Sequence, residues 1–252
     1  MFRVRRLLAP FVLCIALLFS EAQAFTIAWL SDTQNYHNAY KPIFDGMTQW
    51  IADNRAALDI RFVFHTGDVV GSWRSEDQWR QARESMGILS SASIPFLTVC
   101  GNHDIGYRMN YANFLKYVLS LRPASMSQEY GDTGSRYELF SANGRDYIFM
   151  GIAFSNKGPS EDEVNWINGV LRQYSSRDAI IITHSYLKKS ASYTTQGKAI
   201  FEKIVKANPN VFLVLCGHCR DISYKNVQLD DDGDGNPDRT VYAILSNFQG
   251  GK

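Results

Sequence analysis

Hydrophobic positions along the chain fall into two alternating patterns: short, almost unbroken apolar runs, and longer stretches in which apolar residues recur at helical spacing. Ile27-Ala-Trp-Leu-Ser31 is a run of the first kind and stops at Asp32. Residues 40–57 place Ile43, Phe44, Met47, Trp50 and Ile51 on a helical repeat, and Ile60 to His65 is again strand-like. A second helical stretch carries Trp79, Met86, Ile88 and Leu89, and the run Ile94 to Cys100 comes after it. Trp50, Trp79 and Trp166 all sit at helical spacing and are expected in the core.

The second half repeats this alternation. Tyr137 to Phe140 and Asp146 to Ile152 flank Asn143-Gly144 and read as a hairpin. Ser160 and Glu163 form a capping-box pattern ahead of a helix holding Val164, Trp166, Ile167 and Leu171. Ala179 to Thr183, a helix over 199–207, Val211 to Leu215 and Thr240 to Ser246 complete the series. Strands with no polar alternation are buried on both faces, as in a sheet covered by helices.

The residues at the strand ends carry the chemistry. Asp32, Asp68, Asn102, His103, His184 and His218 all stand just beyond the carboxyl end of a strand. That is the edge at which open α/β sheets bind ligands. Carboxylate, amide oxygen and imidazole converging from five strands are what a dinuclear metal site needs. Neither a Gly-rich nucleotide loop nor a G-x-S-x-G elbow competes with this reading.

Composition narrows the picture. The 252 residues are 45% hydrophobic and 20% charged, which excludes a disordered chain. A net charge of +1 supplies no field to recruit nucleic acid or an anionic membrane. Residues 1–24 carry Arg3, Arg5 and Arg6, then the apolar run Leu7 to Phe19, then Ala22-Gln-Ala24. This pattern predicts a cleaved signal peptide, an export destination (secreted or periplasmic) and no membrane association afterwards. Residues 25–252 then form one domain with three cysteines, an odd number that makes a disulfide scaffold a poor reading. Cys216 and Cys219 have C-x-x-C spacing without a second pair, and packing is the expectation for them. Asp230, Asp232, Asp234 and Asp238, with Gly235, match the first part of a calcium loop. Position twelve of that loop is Val241, which has no oxygen to offer, so a solvated acidic turn stands as the other reading.

The blocks Asp32-Thr-Gln34, Gly67-Asp68, Gly101-Asn102-His103-Asp104, His184 and Gly217-His218-x-Arg220 together resemble the calcineurin-like metallophosphoesterases. Their Asp-Thr-Gln opening is similar to that of a bacterial exported branch. The resemblance implies a four-layer α/β-β/α sandwich holding one or two divalent ions, with manganese, iron, zinc and nickel as candidates. By the same resemblance, Asp68 bridges the two ions, while Asn102, His184 and His218 bind the second. Asp32 belongs to the first, and Gln34 stands where a first-ion histidine is usual. His103 matches the proton donor to the leaving oxygen, with Asp104 orienting it.

Arg220 replaces the other first-ion histidine and cannot ligate. It is instead a candidate clamp for a phosphoryl oxygen. The implied activity is hydrolysis of a small phosphate monoester or diester, a metal-activated water attacking phosphorus. The rival is a weak or inactive binding protein with a single ion. His37 in its polar loop reads as a surface histidine or as a substitute for the imidazole absent at Gln34. His65 reads as a hydrogen-bonded core residue. Trp73 and Arg74, like Tyr107 and Arg108, are candidates for the crevice mouth or for ordinary packing.

Overall fold

The computed structural model describes residues 24–106, 109–121, 128–131 and 133–249. Residues 1–23, which take in Cys14 and all but the last residue of the expected signal peptide, and the pair Tyr107 and Arg108 lie outside them.

Among the described residues, ten strands and five α-helices succeed one another, and all but the shortest follow the alternation that the apolar pattern predicts. The first unit runs β1 (Thr26–Leu30), α1 (Lys41–Asp53), β2 (Ile60–His65), α2 (Glu76–Ser91) and β3 (Phe96–Thr98). Its strands form a parallel three-stranded sheet in the order β1-β2-β3. Two short elements come next, α3 (Ala112–Tyr117) and β4 (Gln128–Tyr130). The second unit contains β5 (Ser135–Ala142), β6 (Arg145–Ile152), α4 (Glu161–Gln173), β7 (Asp178–Thr183) and α5 (Thr195–Ile200). It ends with a π turn over Phe201–Val205, then β8 (Val211–Cys216), β9 (Asp221–Leu229) and β10 (Arg239–Asn247). Its seven strands lie in the order β4-β5-β6-β7-β8-β10-β9, with β6, β7, β8 and β10 parallel.

The two sheets pack face to face, and the reason is visible along single strands. Successive side chains of a strand point to opposite faces. In β7, Ala179 and Ile181 meet α4 and α5, while Ile180 and Ile182 point the other way. In β2, Phe62 and Phe64 face the same central layer, whereas Val63 faces α1 and α2. Phe62, Phe64 and Phe149 form edge-on aromatic pairs there, with Phe64 and Phe149 at 4.8 Å and 89°. Such pairs add about 0.5–1.5 kcal/mol each beyond the area they bury. Helix, sheet, sheet, helix is the four-layer sandwich.

Local details depart from the expectation in two places. Ser160 caps α4 by accepting the Glu163 N–H at 3.2 Å. Glu163 does not return the bond; it turns inward and accepts the Ser135 hydroxyl, so the box is half made. Trp79 is fully buried and Trp166 packs half-buried on the second helical layer, as spacing predicts, but Trp50 does not join them. It is 55% exposed on α1, where Phe44, Thr48 and Ile51 take the inner face. Trp50 lines an apolar groove with Trp29 and Met47 beside the edge strand β1, which no further strand covers among the described residues. No described helix is long and apolar enough to cross a membrane.

Candidate metal centre and active site

Because the strands of each sheet that matter here are parallel, their carboxyl ends share an edge, and face-to-face packing brings the two edges together. Backbone bonds stitch these loops together, within each sheet and across the seam. The Asp32 N–H donates to Gly67 O at 3.1 Å, Phe154 N–H to Cys100 O at 3.3 Å, and Gly217 N–H to His184 O at 3.0 Å. Two glycines at the site allow close approaches. A Cβ on Gly101 would lie 2.1 Å from Asp68 Oδ1, and one on Gly217 would lie 2.1 Å from Asp32 Oδ2. Asp32, Asp68 and His218 all turn off their strands with left-handed backbones, at φ of 51°, 52° and 69°. Non-glycine residues in that region cost energy and cluster at functional sites.

The donor atoms of Asp68, His184 and His218 lie within 4.8 Å of one another. His184 is the centre of this group. Its Nδ1 stands 2.9 Å from Thr66 O. A carbonyl only accepts, so Nδ1 carries the proton, and a neutral ring turns its Nε2 lone pair toward the group. That lone pair faces Asn102 Oδ1 at 3.1 Å, His218 Nδ1 at 3.1 Å and Asp68 Oδ2 at 3.3 Å. His184 Nε2, Asn102 Oδ1 and Asp68 Oδ2 are acceptors pointed at one another, and they repel unless a cation sits among them. The mixed oxygen and imidazole set, with the far nitrogen of His184 fixed by a carbonyl, fits a divalent transition ion. A proton is the other cation that would serve. Burial works against a charge on His184, but the Asp68 carboxylate outweighs it and raises the ring to about 9. Burial and the neighbouring His184 charge hold His218 down at about 4.

The first-ion residues are arranged differently. Asp32 is fully buried, accepts the His218 N–H through both oxygens at 3.1 and 3.2 Å, and takes the Ser31 hydroxyl. Burial pushes its carboxyl up to about 6. Gln34 donates Nε2 to Asp68 Oδ2 at 3.2 Å, while its Oε1 is enclosed with no partner. A buried amide oxygen without a donor costs about 1–3 kcal/mol, and a cation would satisfy it. Gln34 therefore suits an oxygen ligand. Arg220 is exposed between His218 and β9, with no hydrogen bond or ion pair to any described residue.

His103 and Asp104 divide their tasks in a way that the spacing did not indicate. The His103 N–H donates to Asp68 Oδ1 at 2.9 Å, and its ring Nδ1 donates to Gly71 O at 2.9 Å, leaving Nε2 on the exposed side. Gly71, not Asp104, orients the ring. The Asp104 carboxylate is buried and accepts three backbone N–H groups, from Val69, Val70 and Gly101, at 3.1, 3.0 and 2.8 Å. It clamps the loop after β2 to the loop after β3. Burial, reinforced by the Asp68 charge, lifts it to about 7.

The remaining candidates separate cleanly. His37 is half-buried, its Nε2 against Gly71 and its Nδ1 enclosed without a partner, so it stands near His103 rather than out on the surface. Trp73 is half-buried against Gly106, and Arg74 stacks over its ring at 5.0 Å. Cys100, Cys216 and Cys219 are all free, and Cys216 packs in the core of the second helical layer. In the acidic turn, Asp230, Asp232 and Asp238 bring carboxylates within 4.8 Å, and Asp234 stands outside that group. Each of these carboxylates accepts backbone N–H groups of its own loop, as a solvated turn also would.

His65 is the buried residue expected. Its Nε2 meets the Thr33 hydroxyl at 3.1 Å and its Nδ1 accepts the Gly67 N–H at 3.2 Å, so the ring is neutral. Burial, and after it the His184 charge, holds its pKa at about 3, against 6.5 ordinarily. Below 6.5 the unfolded chain takes up a proton that the folded chain refuses. Stability from this residue is therefore complete above pH 6.5 and falls as pH drops toward 3, by about 1.4 kcal/mol per unit. Urea unfolding of wild type and His65→Gln should show the gap between them shrinking by about 2 kcal/mol from pH 6.5 to 5. A gap that stayed constant would contradict a neutral buried ring.

Phe154 is a site residue that the strand-by-strand reading passed over. It stands beyond the end of β6, and its ring lies 5.7 Å from His184 and 6.0 Å from His218. The strand-end rule that found the polar residues would have found it too, had apolar residues been considered.

Comparisons with known proteins bear on this geometry. The family model for calcineurin-like phosphoesterases matches residues 25–219. The chain is 41% identical over 231 residues to a Bacillus subtilis (strain 168) protein named uncharacterized protein YvnB. That match takes in 90% of this chain and 18% of the relative, so the chain spans less than a fifth of that protein's length. Among solved structures it is similar to TT1561 of Thermus thermophilus, with a TM-score of 0.53 over 87% of both chains. At 12% identity, that likeness speaks for the fold alone.

Proposed function

This chain belongs to the calcineurin-like phosphoesterase family, and we propose that it hydrolyses small phosphate monoesters or diesters at the seam between its two sheets. The family supports a metal-dependent phosphoester hydrolase in general. The observation that carries the finer reading is the convergence of Asp68, Asn102 and His218 on His184 Nε2. Those four residues would hold one ion, and Asp32, Gln34 and Asp68 a second. Divalent ions bound there supply a Lewis acid and lower the pKa of a water.

The chain's own residues do the rest. His103, held by Gly71 O through Nδ1, presents Nε2 outward to protonate the leaving oxygen. Arg220, carrying a fixed charge and having no protein partner among the described residues, is available to take two phosphoryl oxygens in parallel hydrogen bonds. Asp104 keeps the Asp68 and His103 loops in register. A secretory leader over 1–24 and a secreted or periplasmic location belong to the same reading, on the strength of the basic-apolar-small pattern.

The second reading is a weak or inactive binding protein with one ion. Its support is the amide N–H of Gln34 turned toward Asp68 and an arginine in the last block. One experiment separates the two. Protein stripped of metal and reloaded with manganese is assayed on p-nitrophenyl phosphate and bis(p-nitrophenyl) phosphate, with bound ions counted. Turnover that appears only on reloading is the expected result. One bound ion without turnover of either ester supports the binding protein, and no bound ion sinks both readings.

A further inference from the structure

A pocket of about 330 Å³ opens beside His218. It is walled by the loops after β6, β7 and β8, the same strand ends that deliver His184 and His218. Phe154 packs against both imidazoles, so its ring is a wall shared by the ion group and the pocket. The volume exceeds what a phosphoryl group fills and lies at the lower end of ordinary small-molecule sites.

The lining states what would fit. No carboxylate contributes to it. Some of its polar side chains are already committed to the fold: Gln196 donates to Ala153 O, and Thr194 accepts the Gly197 N–H. Asn156 and Thr195 are exposed and their side chains have no partner among the described residues. Lys188 is the cation. Its backbone is pinned, since its N–H donates to Ser192 O at 2.8 Å and its carbonyl accepts the Ser223 hydroxyl at 2.9 Å. Its neighbour Lys189 is paired with Asp221, but the Lys188 ammonium has no ion-pair partner among the described residues. An unpaired ammonium beside free amide and hydroxyl groups selects for hydroxyls and negative charge.

We infer that this pocket holds the organic substituent of the phosphate ester, and that Lys188 selects substituents bearing hydroxyls and a second anionic group. The inference rests on the hydrolase reading for the placement of the phosphoryl group. Its test therefore uses equilibrium binding, which an inactive protein also answers.

Two non-hydrolysable phosphonates are titrated into the manganese-loaded protein by calorimetry. They are 2-hydroxy-4-phosphonobutanoate and 3,4-dihydroxybutylphosphonate, which differ in one carboxylate for one hydroxymethyl. The expected result is about tenfold tighter binding of the carboxylate. Lys188→Gln, an exposed substitution that leaves the fold intact, should remove that preference and change the diol by less than about twofold. Equal binding of both compounds, binding of neither, or a preference that survives Lys188→Gln overturns the inference. Turnover of p-nitrophenyl phosphate is measured alongside. Lost preference with intact turnover counts against the pocket alone. A Lys188-dependent preference without turnover upholds the pocket and counts against the hydrolase.

Discussion

Asp68→Ala should yield a folded protein that has lost both its ion and its turnover. kcat/KM for p-nitrophenyl phosphate is expected to fall by about three orders of magnitude or more, because ion stabilisation of phosphoryl charge is a matter of several kcal/mol. The size of the effect reflects how many tasks this one carboxylate has. Its Oδ1 accepts the His103 N–H and its Oδ2 accepts the Gln34 amide while facing His184 Nε2 at 3.3 Å. Removing it takes away the only acid in the close group with His184 and His218, and also loosens the turn that presents His103. Metal content and steady-state kinetics on the same preparation decide the matter. A variant keeping its ion and turning over within tenfold of wild type would move the catalytic centre elsewhere in the molecule.

The second large effect comes from a single methyl group. In Gly101→Ala the new Cβ would fall 2.1 Å from Asp68 Oδ1 and 2.4 Å from the Asp68 backbone nitrogen. A flexible side-chain tip could move aside, but the backbone atom cannot, so the loop after β3 must retreat from the loop after β2. That retreat breaks the Val69 and Val70 N–H bonds to Asp104 and the His103 N–H bond to Asp68, and displaces Asn102 and His103 together. Overpacking of this kind costs about 1–3 kcal/mol, and misplacement near 1 Å costs about a hundredfold in rate. Gly87→Ala is the control: Gly87 lies in α2, and a Cβ there meets nothing within 4 Å. It should leave turnover unchanged and stabilise by up to about 1 kcal/mol. Urea midpoints and kcat/KM for both variants test the comparison. Similar behaviour of the two would mean that the loops are not held at the separation seen here.

Legibility tracked the physical source of each signal. β2 spans Ile60–His65, the run that its β-rich composition marks, and β7 spans Asp178–Thr183, one residue longer than its apolar run. Both are buried on two faces, which leaves an unbroken hydrophobic stretch in the sequence. α3 and β4 went unseen, because six and three residues are too few for a periodicity to register. Trp50 shows the opposite failure. Its spacing is helical and the helix exists, but spacing cannot say which apolar positions a neighbour will cover. Whether the strands formed one sheet or two was likewise invisible from periodicity, since a strand buried on both faces reads the same under helices or under another sheet. The family resemblance supplied that distinction.

The site divides along the same line. Asp32, Asp68, Asn102, His184 and His218 were identifiable because each is a polar residue placed abruptly after an apolar strand. Their partners were not. That Gly71 O holds the His103 ring, that Asp104 fastens two loops instead, and that Gln34 keeps an unpaired oxygen all depend on loops converging from different strands of the first sheet.

The order of strands and helices, the residues that end them and the family are thus written in the linear pattern, because each rests on periodicity or on neighbours in sequence. The approach of Asp68 and Asn102 to His184, and of Gly217 to Asp32, was decided only by packing one sheet on the other, while the approach of Gly101 to Asp68 and the Lys188 pocket were decided by strand pairing within one sheet. All but the pocket join residues more than thirty positions apart, and such distances exist only once strands distant in sequence are brought together.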